Sequence, residues 1–252
     1  MEFWFSEFHT PDVKHSIRVN KQLYSKQSDY QRIDIFETPE FGRVLTLDGN
    51  VMLTERDEFI YDEMIVHVPM AVHKEAKDIL VIGAGDGGVV RELTRYDRVE
   101  RIDLVEMDPQ VVEACRAYLP GNACRMDDRR VHIYFENALK YIRRCEEEYD
   151  LIIVDSSDPF GPSEGLFTRE FYGSCFNALK EDGIMSTSRA APSMPRTPAP
   201  CSAATSALRP PSPSAGCIRH ISPPLRRGTG CSALQVKNII PLMIWTQSRG
   251  RR

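Results

Sequence analysis

Three places in the chain bring together residue types able to do chemistry. The first is Gly83-Ala84-Gly85-Asp86-Gly87-Gly88, which directly follows the apolar run Ile79–Ile82 and directly precedes a helical stretch, Val89–Tyr96. Glycines there permit a tight turn and close approach of backbone to a ligand, while the start of the following helix offers N–H groups without intrahelical partners. The second is Glu106, which ends the next apolar run 23 residues after Gly83. An acidic side chain at that spacing can take the two hydroxyls of a ribose. The third is Asp155-Ser156-Ser157-Asp158-Pro159, just past the run Leu151–Val154. Two carboxylates three residues apart on a loop can hold a cationic amine and accept a proton from it, and Pro159 with Gly161-Pro162 restricts that loop.

Asp86 narrows the choice of ligand. A pyrophosphate at this glycine loop would face an unneutralised carboxylate, which disfavours a dinucleotide, whereas an ammonium would be attracted. Each feature also has a purely structural reading: a Gly-rich turn that binds nothing, Asp158 as a helix N-cap and Asp155 as a solvated strand end. Those readings weaken when the three features are taken together.

The surrounding pattern supplies elements to position these residues. Runs that are apolar on nearly every residue, Ile79–Ile82, Ile102–Val105, Val131–Phe135 and Leu151–Val154, predict strands covered on both faces, hence a parallel sheet wound with helices. The helices are expected at Val89–Tyr96, Pro109–Tyr118, Ala138–Glu147 and Phe171–Leu179, the last closed by Asp182-Gly183, with Ile184-Met185 opening a fifth strand. Upstream, Ser16–Tyr24, Gln31–Thr38, Arg43–Leu47 and Val51–Thr54 alternate at period two, and Asp48-Gly49-Asn50 supplies a turn. Glu58–Val68 has helical spacing, and Pro69 breaks that first pattern before apolar residues resume towards His73. The expected organisation is a β unit over 1–55, a truncated α/β unit over 56–185 and a tail over 186–252.

Charge divides the chain at the same place. Of 252 residues, 1–185 carry all 36 Asp and Glu and 22 of the 32 Lys and Arg, a balance of −14, while 186–252 carry ten basic residues and no acidic one. Ten of the 17 prolines also lie after Met185, and Ser186–Gly230 has no hydrophobic period, so it is predicted not to order by itself. No 18-residue apolar run exists to span a bilayer, and Met1-Glu2-Phe3-Trp4 lacks the basic and apolar regions of a secretory signal. The seven cysteines form no CxxC and no ligand-like spacing with the six histidines, so reduced thiols, no zinc site and a cytoplasmic location are expected.

From Trp4 to Gly183 the chain resembles the polyamine aminopropyltransferases, spermidine synthases in particular. The resemblance runs through Leu47-Asp48-Gly49, Asp57-Glu58-Phe59-Ile60-Tyr61, Gly83–Gly88, Val154–Pro159, Gly161-Pro162 and Leu166-Phe167-Thr168. It implies an N-terminal β domain before a Rossmann-like methyltransferase fold, and transfer of an aminopropyl group from decarboxylated S-adenosylmethionine to putrescine, giving spermidine and methylthioadenosine. No metal or resident cofactor is implied, since the nucleoside is a co-substrate, and a homodimer or homotetramer is. Residue by residue, it places Gln31, Gly83, Gly85, Glu106, Asn137-Ala138 and Pro162 at the nucleoside, with Glu106 on the ribose. Asp86, Tyr61, Asp62 and the pair Asp155 and Asp158 fall at the amines, with Asp155 as proton acceptor.

Two positions depart: Asp62 stands where the family commonly has His or Gln and adds negative charge where a cationic diamine should sit, and Asn137, a mild change, stands where Asp is usual. The tail departs wholly, because the family continues with the rest of a fifth strand, a helix and a closing strand pair over the polyamine. Codons chosen for the tail and read two nucleotides later permit Arg-Val-Tyr-Gln-Ala-His-Ile-Pro across Gly216–Ser222, and a second family-like stretch across Gly230–Thr246, so a frameshift is expected. The sheet's C-terminal strands are then missing or replaced, and the fifth strand is expected to expose an unpaired edge. Two other functions share some of these features. A methyltransferase using S-adenosylmethionine shares fold and ribose acid but conflicts with Asp86 and the Asp155–Asp158 pair. An inactive nucleoside- or polyamine-binding protein with a basic, RNA-directed tail lacks aromatic residues for stacking on bases.

Overall fold

The computed structural model describes residues 2–156 and 161–187, together with the strand backbone at 217–218 and 243–246. The period-two region forms six strands. β1 (Phe3–Thr10) pairs antiparallel with β2 (Val13–Val19) as a separate ribbon. β3 (Lys21–Gln27), β4 (Arg32–Thr38), β5 (Gly42–Leu47) and β6 (Asn50–Thr54) form an antiparallel meander. Asp48 and Gly49 both take positive φ, 49° and 78°, as the two-residue turn between β5 and β6 demands. The single strand expected over Ser16–Tyr24 is divided at Asn20 between two sheets. Alternation reports a half-buried strand but not its partner. β1 gave no such signal, because Phe3, Trp4 and Phe8 are all exposed.

α1 (Glu58–Val72) continues through Pro69 rather than stopping there, and the N–H of His73 still reaches the Pro69 carbonyl at 2.9 Å. Then follow β7 (Asp78–Gly83), α2 (Gly88–Leu93), β8 (Arg101–Glu106), α3 (Pro109–Tyr118), the short α4 (Pro120–Ala123), β9 (Val131–Phe135), α5 (Ala138–Ile142) and β10 (Tyr149–Asp155). A 3₁₀ segment over Gly161–Phe167 leads to α6 (Arg169–Ala178) and β11 (Leu179–Thr187). α5 is shorter than expected because the chain turns so that the Glu147 N–H can donate to the Asn177 carbonyl at 2.8 Å. Asp182-Gly183 does not close α6 but lies inside β11. There the pairing jumps from Tyr149↔Leu179 to Leu151↔Ile184, a bulge that absorbs the intervening residues.

The sheet order is β12-β13-β11-β10-β7-β8-β9, parallel from β11 to β9. The unpaired edge expected at the fifth strand is not found. β13 (Met243–Thr246) lies antiparallel on β11, pairing Ile184 with Thr246 and Thr187 with Met243, and β12 (Cys217–Ile218) pairs with β13. Short tail strands therefore occupy that edge; the remainder of the tail and Asp158 lie outside the described residues.

Alternate residues of each central strand enter different cores. Ile79 and Val81 meet Val66 and Met70 of α1 and Val90 of α2, while Leu80 and Ile82 meet Ile142 of α5 and Phe171 and Ala178 of α6. All four strand residues are at most 1% exposed, and each such side chain contributes about 1.5–3 kcal/mol by burial. A third core joins the meander to α3: Ile33, Ile35 and Leu45 pack on Val111, Ala114, Cys115 and Leu119. From β7 the chain steps outward to β8 and β9, then returns to β10 and β11 on the other side. The strand order thus reverses between β7 and β10, and the crevice outside their carboxyl ends is where open α/β sheets bind ligands.

Candidate active site

Gly83 and Asp155 end β7 and β10 directly opposite one another. Gly83 has φ +80°, and a Cβ there would lie 1.9 Å from the Asp155 carbonyl oxygen, so only glycine lets the two strand ends approach this closely. At Gly85 an added Cβ would come within 2.8 Å of Glu106 Oε2, so the loop's second glycine leaves that oxygen its space. Asp86 Oδ1 accepts from the Gly88 N–H at 2.8 Å. One of the helix N–H groups expected to face a ligand is therefore taken by the loop's own aspartate, whose charge does the facing instead.

Three half-buried carboxylates, Asp86, Glu106 and Asp155, converge from the ends of β7, β8 and β10. Burial, with Asp86 and less strongly Glu106, pushes Asp155 up to about 7, opposed by the hydrogen bond it accepts from Tyr61 Oη of α1. Burial also pushes Glu106 up to about 7, against hydrogen bonds from the Asp108 and Met107 N–H groups. Asp86 is raised by burial as well, with the Gly88 and Asn122 donors opposing. Like charges gathered out of water hold protons more tightly than isolated carboxylates, and the arrangement favours a cation that would relieve them.

Asp62 sits behind this cluster. It is buried, a Cβ on Gly88 would overlap its Oδ2, and Arg91 Nη2 stands 3.5 Å away. Burial, Asp86 and Glu58 hold its carboxyl well above the usual range. Arg91 grips Glu58 with both terminal nitrogens, at 3.0 and 2.8 Å. Arg91 was not singled out in the sequence, and Glu58 entered only as part of the motif Asp57–Tyr61, without a role.

Gln31 enters from the loop between β3 and β4, where its Nε2 donates to Asp108 Oδ2 at 3.2 Å. Asn137 and Ala138 begin α5, two and three residues beyond Phe135, which pairs with Glu106. The Asn137 carboxamide oxygen accepts from the Leu139 and Lys140 N–H groups at 3.0 and 3.2 Å, so it caps the helix and leaves its amide hydrogens for a ligand. Pro162 is described by its backbone alone, in the 3₁₀ segment. Among the described residues, Glu63, His67 and Glu92 offer metal-ligand atoms within 4.8 Å of one another. Glu92, however, already accepts from Arg91 at 2.9 Å and Arg95 at 2.6 Å, and a metal would have to displace both.

The raised carboxylates set a pH dependence. A group whose folded-state pKa exceeds its unfolded value stabilises the fold fully below the unfolded value, about 4 for a carboxylate, and loses that contribution as pH rises through the folded value. For Asp155 and Glu106 this loss runs to about 7. The unliganded protein is therefore expected to lose stability between pH 6 and 8 through these groups. A linear diamine, pairing with the newly ionised Asp155, is expected to raise the melting temperature more at pH 8 than at pH 6. Equal diamine shifts in thermal unfolding at the two pH values would contradict this.

Comparison with known proteins identifies the family. Residues 58–197 match the family model of the spermine/spermidine synthase domain, and residues 3–55 match the spermidine synthase tetramerisation domain. Polyamine aminopropyltransferases of Alkaliphilus oremlandii and of Clostridium botulinum strain Alaska E43 are each 63% identical over 185 residues, 73% of this chain and 65% of theirs. The chain thus spans about two thirds of the length of the curated relatives it matches. A crystal structure of spermidine synthase in complex with the transition state analogue AdoDATO is 47% identical, with TM-score 0.74 over 75% of this chain and 66% of that one. Spermidine synthase from Thermotoga maritima, also 47% identical, gives 0.72 over 75% and 65%. With more than half its residues matched by the synthase domain model, and its fold shared with spermidine synthase structures at 47% identity, the chain belongs to the spermine/spermidine synthase family.

Proposed function

We propose that the chain is an aminopropyltransferase of the spermidine synthase type, moving the aminopropyl group of decarboxylated S-adenosylmethionine to putrescine. The observation that carries this reading is the convergence of Asp86, Glu106 and Asp155 at the switch point, with Tyr61 on Asp155. Glu106 takes the ribose hydroxyls through Oε2, its Oε1 being held at 2.9 Å by the Asp108 N–H. Gln31, Asn137, Ala138 and Pro162 line the rest of the nucleoside site, and Gly83 and Gly85 let it approach the backbone. Asp86 pairs with the aminopropyl ammonium, while Tyr61, Asp155 and Asp158 align the attacking amine, with Asp62 behind them.

The amine nitrogen attacks the carbon bonded to the sulfonium. The C–N bond forms as the C–S bond breaks, the bonding pair leaves with sulfur as a neutral thioether, and the nitrogen's proton passes to Asp155. A carboxylate raised towards neutrality is a better proton acceptor than an ordinary one, and in-line placement of a good leaving group supplies most of what remains. A methyltransferase reading has no counterpart for the acidic cluster, since the amino-acid carboxylate of S-adenosylmethionine would meet Asp86. Self-association follows from the N-terminal match and from the exposed Phe3, Trp4, Phe8 and Val13 of the β1–β2 ribbon. The free Cys115, Cys124, Cys145 and Cys175 suit a reducing cytoplasm.

Isothermal titration with methylthioadenosine, alongside an aminopropyl-transfer assay with putrescine, tests the reading. Binding of the nucleoside with amine-dependent product formation is expected. Absence of nucleoside binding would overturn the proposal, while binding without transfer would confine the chain to the nucleoside half of the activity.

A further inference from the structure

We propose that Asp108 is a positioning residue that fastens the N-terminal meander to the sheet at the nucleoside site and thereby sets both Gln31 and Glu106. The inference rests on the nucleoside reading above. Asp108 is 1% exposed and stands between β8 and α3, where its Oδ1 caps the helix by accepting from the Gln110 N–H at 3.0 Å. A cap needs only that oxygen. The other, Oδ2, accepts from Ser28 Oγ at 2.6 Å and from Gln31 Nε2 at 3.2 Å, across 80 and 77 residues of chain. The backbone N–H of the same residue donates to Glu106 Oε1. One residue thus touches the side chains that approach the nucleoside from two different sheets.

The loop carrying Gln31 is built to meet this carboxylate. Ser28 Oγ accepts from the N–H groups of Tyr30 and Gln31 at 3.1 and 3.0 Å, and the Ser28 N–H donates to the Gln31 carbonyl at 2.9 Å. With both lone pairs engaged, the hydroxyl has one proton to give. The 2.6 Å contact with a carboxylate is the stronger of its two options, since the Gln31 carbonyl stands at 3.0 Å. The apolar contact of Ile33, Ile35 and Leu45 with α3 holds the two units together but is non-directional. The Asp108 bonds supply the direction. By taking Gln31 Nε2, Asp108 also fixes that amide's orientation and leaves its oxygen for the ligand, just as its N–H leaves Glu106 Oε2 for the ribose.

Asp108→Asn keeps size and helix cap but puts an amide where Ser28 and Gln31 both donate. Hydrogen bonds to charged groups support an expected loss of methylthioadenosine affinity of about 10- to 100-fold, read by isothermal titration on the full chain. Ser28→Ala, which removes the 2.6 Å bond together with the two backbone N–H bonds that Ser28 Oγ accepts, is expected to shift it in the same direction. The discriminating readout is the diamine-induced rise in melting temperature, which belongs to the other end of the site and is expected to survive in both variants. Parental nucleoside affinity in both variants would overturn the inference while leaving the nucleoside reading intact. Equal loss of nucleoside and diamine responses would make Asp108 a residue of general stability and overturn it too. Failure of the parent chain to bind methylthioadenosine would remove the nucleoside reading and the inference with it.

Discussion

Asp155→Asn is expected to lower aminopropyl transfer by about 10²–10⁴-fold, the usual contribution of a positioned general base, with methylthioadenosine affinity unchanged. Asparagine matches the shape of the carboxylate and can still accept from Tyr61 Oη, so the packing at the end of β10 survives. What it cannot do is take a proton from the attacking amine. The companion variant Tyr61→Phe separates orientation from basicity. The Tyr61 hydrogen bond favours the ionised carboxylate, so its loss raises the Asp155 pKa above about 7, and the acid limb of the rate profile is expected to move to higher pH. Steady-state transfer across pH 6 to 9, with nucleoside titration in parallel, reads both effects. Parental turnover in Asp155→Asn, or an acid limb unmoved in Tyr61→Phe, would assign the proton elsewhere.

The sheet and its glycine loop were legible because their signals are local. Ile79–Ile82 is apolar on every residue, the glycines follow at once, and Glu106 and Asp155 end their strands in the same way, so the position of each on the carboxyl edge follows from the runs themselves. What was not legible depends on partners distant in sequence. Period-two alternation marked Ser16–Tyr24 as strand but carried no information that β2 pairs with β1 and β3 with β4. Asp182-Gly183 reads as a helix stop, yet the register imposed by β10 draws both residues into β11. Asp108 was not singled out: one of its oxygens caps α3, and the other is engaged by Ser28, 80 residues away. Asp62 reads as a charge at an amine site, but burial, Asp86 and Glu58 hold its carboxyl well above the usual range, and Gly88 packs directly on it. The edge of β11 seemed unprotected because the tail has no hydrophobic period over Ser186–Gly230; the pairing strand comes from the apolar residues beyond it, Met243–Thr246.

Gly83→Ala is expected to be among the most damaging glycine-to-alanine changes at the described residues. The residue has φ +80°, where an L side chain costs about 1–2 kcal/mol. The new Cβ would also stand 1.9 Å from the Asp155 carbonyl oxygen, a backbone atom that no rotamer can move aside. Overpacking of that kind costs about 1–3 kcal/mol, so a total loss of roughly 2–5 kcal/mol is expected, or about 4–20 °C in melting temperature for a chain of this size. The clash can be relieved only by parting β7 from β10 at the pair Asp155↔Gly83, and that displaces the carboxylate from Tyr61 and from the cluster with Asp86. Diamine stabilisation is therefore expected to fall further than global stability alone accounts for. Gly173→Ala in α6 is the matched control. Its added methyl meets nothing within 4 Å, and in an exposed helix interior it is expected to stabilise by about 0.5–1 kcal/mol. Chemical denaturation of both variants, with and without diamine, separates the cases. If Gly83→Ala matches the parent in stability and in diamine response, the spacing of these two strand ends is not what holds Asp155 in place.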